Sequence, residues 1–240
     1  MTKIIRDNNW HEVYNELKAE ELKLSVYDDF LMSLIGNVEY KKVLDYGCGP
    51  GVIANALKRL NPNAEIDVYD TNKQIITGAR DKKALNDNII ILGDKSDIKK
   101  ETYDFVLCNL VLCIVEDYEA IKISKNIYEA MKEEGTALVG FCNPKIFNVR
   151  ETKLDIRHLT GENYKQNHEY LKEKKEGTYR IYEKHRPIEW YSKIFKAAGF
   201  KISKKFFTAP YELKGNQIND FIIFKLVKLR TVAKNTAKSH

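Results

Sequence analysis

Apolar residues first recur with helical spacing at Trp10, Val13, Tyr14 and Leu17, the i, i+3, i+4, i+7 set of one helix face. A second helix is predicted over 27–35, closed by Gly36-Asn37. The pattern then changes to short solid apolar runs alternating with helical ones. Residues 43–46 read as a strand. Val52, Ile53, Ala56, Leu57 and Leu60 follow with helical spacing and stop before Asn61-Pro62. The alternation continues with a strand over 66–69, a helix over 72–85, and strands over 89–92 and 105–108. A helix marked by Ala120, Ile127, Tyr128 and Met131 and a fifth strand over 136–142 complete it. Strands become solidly apolar when helices cover both faces of a parallel sheet, so the pattern predicts an α/β, doubly wound, mostly parallel sheet.

Regularity breaks after that. Residues 145–183 carry few aliphatics and many charges and tyrosines, and are expected to be an insertion packed over the sheet edge. A helix over 187–198 follows, with Trp190, Ile194, Phe195 and Ala198 on one face and Gly199 as its cap. Residues 201–208 and 220–228 are expected to close the chain as an antiparallel hairpin with a long loop.

Composition narrows the class. The chain has 240 residues and ordinary apolar content, enough for one α/β domain with an insertion. No N-terminal stretch combines a charged start with an apolar core, so no signal peptide is expected. The longest apolar run, 105–115, is too short to span a bilayer. The cysteines at 48, 108, 113 and 142 form no C-x-x-C pair, so free thiols in a reducing cytoplasm are expected and a metal is not. The formal charge is +6, unevenly placed: residues 145–186 hold 11 Lys/Arg against 7 Asp/Glu, and 225–240 hold 5 Lys/Arg and no acid. The core is therefore not basic, and a basic end alone reads as a solvated tail.

The chemistry concentrates in Val43-Leu44-Asp45-Tyr46-Gly47-Cys48-Gly49-Pro50-Gly51. An apolar strand ends in an acid, glycines follow at alternate positions, and a helix starts at once. Such a turn lets backbone approach a ligand closely and aims a helix N-terminus at it. A dinucleotide fingerprint would read G-x-G-x-x-G, but the third glycine comes one residue early and Val52 holds the expected place. This compact form resembles the first motif of the class I S-adenosylmethionine-dependent methyltransferases. Asp70 ends the second strand, 19 residues after Gly51, where a carboxylate meets a ribose hydroxyl pair.

The resemblance extends clearly over about residues 40–145 and implies a Rossmann-like, seven-stranded sheet with an antiparallel C-terminal hairpin, N-terminal helices and an inserted lid. It implies cofactor contacts from Asp45, Gly47, Cys48, Gly49, Gly51, Asp70 and Thr71. Gly93-Asp94-Lys95 resembles the family's adenine-binding turn, with Asp94 on the exocyclic amine. Tyr103 to Leu110 resembles the fourth motif, with Asn109 lining the cofactor. A late patch, Tyr182-Glu183-Lys184-His185-Arg186-Pro187 with Ala198-Gly199-Phe200, is similar to the small-molecule branch typified by ubiquinone and menaquinone biosynthesis methyltransferases. Cys113 stands where many relatives carry a histidine. The expected organisation is an N-terminal helical cap over 1–38, a cofactor core over 39–144, a substrate lid over 145–186, completion of the core over 187–230 and a flexible tail over 231–240.

Methyl transfer from a sulfonium mostly needs alignment of the nucleophile, and a base only when the acceptor keeps its proton. His185 is the expected base. Arg186 is expected to clamp an acidic substrate or to pair with a neighbouring carboxylate, and His158 and His168 are weaker candidates. Tyr14 is expected to close over the cofactor, whereas Trp10 is read as packing. The charge of the insertion favours an anionic, phosphorylated or nucleotide-linked small molecule, methylated on oxygen. An RNA or nucleoside methyltransferase and a non-catalytic cofactor-binding partner are the alternatives. The first is disfavoured because Asn109 is followed by Leu110-Val111 instead of Pro-Pro-aromatic.

Overall fold

The computed structural model describes residues 3–6, 9–83, 85–159 and 163–229. The predicted tail over 231–240 lies outside them. A short strand, β1 (Lys3–Ile5), precedes a 3-10 turn at Trp10–Val13 and the helices α1 (Tyr14–Ala19) and α2 (Glu21–Lys23). A π-helical turn, Leu24–Asp28, leads into α3 (Asp29–Ile35). The βα units then run β2 (Lys42–Tyr46), α4 (Val52–Leu60), β3 (Glu65–Tyr69), α5 (Lys73–Asp81), β4 (Ile89–Ile91), β5 (Tyr103–Asn109), α6 (Asp117–Ala130) and β6 (Met131–Cys142). The insertion contributes β7 (Asp155–His158), β8 (His168–Lys174) and β9 (Tyr179–His185). The chain continues through α7 (Ile188–Ala198), β10 (Phe200–Phe207), β11 (Tyr211–Leu213), β12 (Asn216–Ile218) and β13 (Phe221–Lys228).

Seven strands form the main sheet in the order β10-β13-β6-β5-β2-β3-β4. The pairs from β6 to β4 are parallel, and β13 runs antiparallel to both β6 and β10. This is the Rossmann-like, doubly wound sheet with a C-terminal antiparallel hairpin. Helices cover both faces. Ile123, Ile127, Ile194 and Phe195 of α6 and α7 join one core. Leu31, Ile53, Leu57 and Ile76 of α3, α4 and α5 join the other. The order reverses between β2 and β5, which opens a crevice at their carboxyl ends. Met131, expected inside the preceding helix, instead starts β6, because Ala130 is the last helical residue.

The insertion departs most from expectation. It is a second sheet, ordered β1-β9-β8-β7, with β1 parallel to β9 and the rest antiparallel. The N-terminal cap is therefore partly strand and shares this sheet. Cap and lid are also clasped by side chains. Glu16 accepts from the Thr178 N–H, Glu176 accepts from the N–H groups of Leu22 and Lys23, and Tyr179 donates its hydroxyl to buried Glu20. No helix among the described residues is long and apolar enough to cross a membrane.

Candidate active site

One cavity of about 890 Å³ lies over the crevice, and its wall comes from three parts of the chain. The glycine turn supplies Asp45, Gly47, Cys48 and Gly49; the ends of β3 and β5 supply Asp70, Thr71 and Asn109. The lid supplies Lys172, Lys174, Tyr179, Ile181 and Glu183, and the cap supplies Trp10, Glu20, Lys23, Tyr27 and Asp28.

The glycine turn is shaped for close approach. Gly47, Gly49 and Gly51 all have positive φ. A Cβ on Gly47 would lie 2.2 Å from Val111 Cγ2, and one on Gly51 would lie 2.6 Å from Leu85 Cδ1. These two glycines are required by protein packing. Gly49 is different: a Cβ there meets nothing within 4 Å, so its bare backbone faces the cavity. The Gly47 and Cys48 N–H groups donate to Tyr69 O at 2.7 and 3.1 Å, locking the turn onto the end of β3.

Asp70 anchors this turn as well. Its Oδ2 accepts from Gly49 N and its Oδ1 from Asn72 N, both at 2.8 Å. Each oxygen keeps further lone-pair capacity for a hydroxyl. Burial raises its pKa, against those two backbone bonds. Asp45 is buried, and burial together with the Asp70 and Asp28 charges pushes it up to about 7. Asn109 accepts the Tyr27 hydroxyl on Oδ1 at 2.9 Å, and its buried Nδ2 has no partner. An open glycine wall, a strand-end carboxylate and an orphaned amide nitrogen fit a ligand carrying hydroxyls, donors and acceptors, as S-adenosylmethionine does.

Other expected site residues lie elsewhere. Asp94 is absent from the cavity wall and is exposed. Its side chain accepts from Ser96 N and Oγ, in a capping box with Asp97 that starts a 3-10 turn. Those bonds hold its carboxyl below the usual range. Lys95 beside it does reach the wall, and so does Trp10, which was read as packing. Tyr14 is buried behind the wall, its ring facing Lys82 at 4.3 Å and its hydroxyl unpartnered. Gly51 likewise sits behind it.

His185 and Arg186 are turned away from the cavity. His185 Nε2 lies 2.8 Å from Tyr164 O, and its ring stacks on His168 at 4.6 Å. Burial lowers its pKa. Arg186 is fully buried and spends its guanidinium on Asp117 and on the carbonyls of Leu112 and Val115. It closes the loop after β5. His158 is exposed, 3.6 Å from Glu173.

The lid holds a group that sequence reading missed. Asp155, Arg157, Lys172 and Glu183 are all buried. Lys172 pairs with Glu183 and lies 3.7 Å from Asp155, while Arg157 Nε donates to Asp155 at 3.2 Å. Glu183 also accepts from Tyr170. Burial would raise both carboxyls, but the Lys172 and Arg157 charges outweigh it, holding Glu183 low and Asp155 at about 2. A lone buried ion costs several kcal/mol, so the alternation of sign is what permits the cluster. Cys113, Cys142 and Glu183 come within 4.8 Å of one another, a spacing that suits a metal. The Lys172 ammonium, 3.3 Å from Cys142 Sγ, already supplies a cation there.

Comparison with known proteins agrees with this geometry. The methyltransferase-domain family matches residues 37–199. The ribosomal RNA large subunit methyltransferase G of Psychromonas ingrahamii is 30% identical over 94 residues, 36% of this chain and 25% of that protein. The malonyl-[acyl-carrier protein] O-methyltransferase 1 of Ilyobacter polytropus is 23% identical over 148 residues, 60% of this chain and 51% of that protein. The chain thus spans between a quarter and a half of these relatives. A solved S-adenosylmethionine-dependent methyltransferase from Mesorhizobium loti superposes with a TM-score of 0.62 at 15% identity, over 82% of this chain and 95% of that one. The chain belongs to the methyltransferase-domain family, and it shares its fold with the solved S-adenosylmethionine-dependent methyltransferase.

Proposed function

We propose that the protein methylates an ionised oxygen, a carboxylate above all, of a small-molecule acid held between the glycine turn and the lid. The observation that carries this reading is the composition of the cavity wall. Among the described residues no histidine lines it, whereas the lid contributes Lys172 and Lys174. An alcohol would need a base to take its proton. A carboxylate, with a pKa near ~4, is already ionised at neutral pH. The cavity volume of about 890 Å³ sits at the upper end of the roughly 300–1,000 Å³ usual for ligand sites, which suits a cofactor and a small acceptor together.

S-adenosylmethionine supplies an activated methyl sulfonium, whose departure as a thioether needs no acid. The chain's own work is binding, alignment and exclusion of water. Gly49 and Asp70 hold the nucleoside side, Asp45 the amino-acid side, and Asn109 the floor between. Lys174 is the proposed acceptor-holding cation. Its Nζ forms an ion pair with Glu20 Oε2 at 3.8 Å, too long for a hydrogen bond, so its charge is shared while its N–H donors keep room for an acceptor. Lys172 is committed to Glu183 and Cys142 and acts on the acceptor only through the local field. Most other lid cations are spent on ion pairs, among them Lys184 with Glu116 and Glu169, and Arg180 with Glu173. The preference for an anion therefore rests on Lys174 rather than on the net charge of the insertion. The Ilyobacter relative, named for O-methylation, supports the choice of oxygen.

A ribosomal RNA acceptor is the second reading, favoured by the names of several relatives. Transfer of labelled methyl to a panel of carboxylic acids, their amides and ribosomal RNA separates the two. Base-labile methyl esters on acids are expected. Label in RNA, with none in the acids, would replace this reading by the second.

A further inference from the structure

Leu24–Asp28 is the one π-helical turn among the described residues. Such turns recur where a helix must present a side chain that α geometry would misplace. Here the turn puts Tyr27 and Asp28 together on the cavity wall. Tyr27 is accounted for by its bond to Asn109. Asp28 is not. It is 5% exposed; Oδ2 accepts from Lys23 Nζ at 3.0 Å, and buried Oδ1 has no partner. Leaving a buried acceptor unsatisfied is costly, and more so for a charged one.

The same wall carries Asp45, 3% exposed, on the glycine side. Asp28 raises the pKa of Asp45 by its charge, and Lys23 is the cation that opposes it. Burial likewise raises Asp28 in spite of Lys23. Lys23 thus acts on both carboxyls, and Asp28 Oδ1 is left without a donor. A sulfonium cannot meet the need, because it carries no hydrogen to donate. An ammonium offers one positive charge and three donors.

We propose that Asp28 joins Asp45 at the cofactor's amino-acid end and holds its α-ammonium, with Asp28 Oδ1 the acceptor that the π turn delivers. Lys23, on the other oxygen, orients the carboxylate. The inference rests on the cofactor assignment and is independent of which acceptor is methylated.

Calorimetry on the full chain compares S-adenosylhomocysteine with 5′-methylthioadenosine, which keeps the nucleoside and thioether but lacks the amino acid. Asp28→Asn is expected to weaken the first about tenfold and leave the second within about twofold. Binding of 5′-methylthioadenosine also shows that the variant is folded. Should the variant not fold, N-acetylated S-adenosylhomocysteine on the wild-type protein replaces it, with the same loss of about tenfold or more expected. Unchanged affinity for S-adenosylhomocysteine in the variant, equal loss of both ligands, or full affinity for the N-acetylated form would each overturn the proposal. The first result would assign Asp28 to an amine on the acceptor instead. Failure of wild-type protein to take up 5′-methylthioadenosine would count against the cofactor assignment itself.

Discussion

Tyr27 donates its hydroxyl to Asn109 Oδ1 at 2.9 Å, joining the N-terminal cap to the carboxyl end of β5 beneath the cavity. The contact depends on a third residue. A Cβ on Gly140 of β6 would lie 1.8 Å from the Tyr27 oxygen. Burial, with Asp28 nearby, holds the Tyr27 hydroxyl well above its ordinary pKa, so it stays a donor at any working pH. Tyr27→Phe is expected to cost about 1 kcal/mol of stability and to weaken cofactor binding by freeing Asn109. Gly140→Ala is expected to cost more, because the ring must leave its place. Denaturant unfolding of both variants checks the order.

The glycine turn separates packing from binding. Gly47→Ala places a methyl against Val111 at a positive φ, so it should destabilise the ligand-free protein. Gly49→Ala meets open space and bears only the left-handed backbone cost of roughly 1–2 kcal/mol. Its methyl would narrow the space proposed for the cofactor, so affinity should fall more than stability. Melting temperature and calorimetry on the two variants read the contrast directly.

Arg186 takes the second of its two expected roles, pairing with a neighbouring carboxylate, Asp117. The guanidinium is fully buried and spans Asp117 and two carbonyls. Arg186→Lys cannot reproduce that fork, and leaving the buried Leu112 carbonyl without its donor costs about 1–3 kcal/mol. The variant should unfold at markedly lower denaturant. His185→Gln, by contrast, should leave methyl transfer within about threefold, far from the 10²–10⁴-fold loss of a general base. A kcat that falls steeply, or a pH profile that loses a limb in this variant, would restore His185 as the base.

Much of this was legible beforehand, for a physical reason. Helices on both faces force solid apolar runs, and Val43-Leu44 and Val106-Leu107 are two of them. The lid sheet was hidden because its inward positions mix apolar with charged residues. In β9 the buried positions are Tyr179, Ile181, Glu183 and His185, and in β8 Tyr170 and Lys172, so alternation of burial leaves no alternation of hydropathy. Asp94 carries a signal of its own: Asp94 with Asp97 three residues later is the spacing of a capping box. The π turn carried none, since Leu24 to Asp28 reads as ordinary helix.

Cofactor uptake should also move a proton. The Asp45 carboxyl, pushed up to about 7 by burial and by Asp70 and Asp28, is raised above its unfolded value. It therefore contributes stability below about pH 4 that is lost as pH rises toward about 7, and Asp45→Asn should stabilise the ligand-free protein at pH ~8. Binding of a cationic group beside Asp45 drives it to the ionised form. At pH ~7 this should release about half a proton, read as a dependence of binding heat on buffer ionisation enthalpy. No buffer dependence, with unchanged affinity across that range, would count against the cation's place.

Everything rests on the glycine turn and Asp70 gripping S-adenosylmethionine. Calorimetry of S-adenosylhomocysteine on wild-type protein and on Asp70→Ala tests this most directly. The account predicts one-to-one binding to the wild type and affinity at least about tenfold lower in the variant, as expected for loss of charge-assisted bonds to a hydroxyl pair. Absence of binding to folded wild-type protein, or equal affinity in the two, would contradict it.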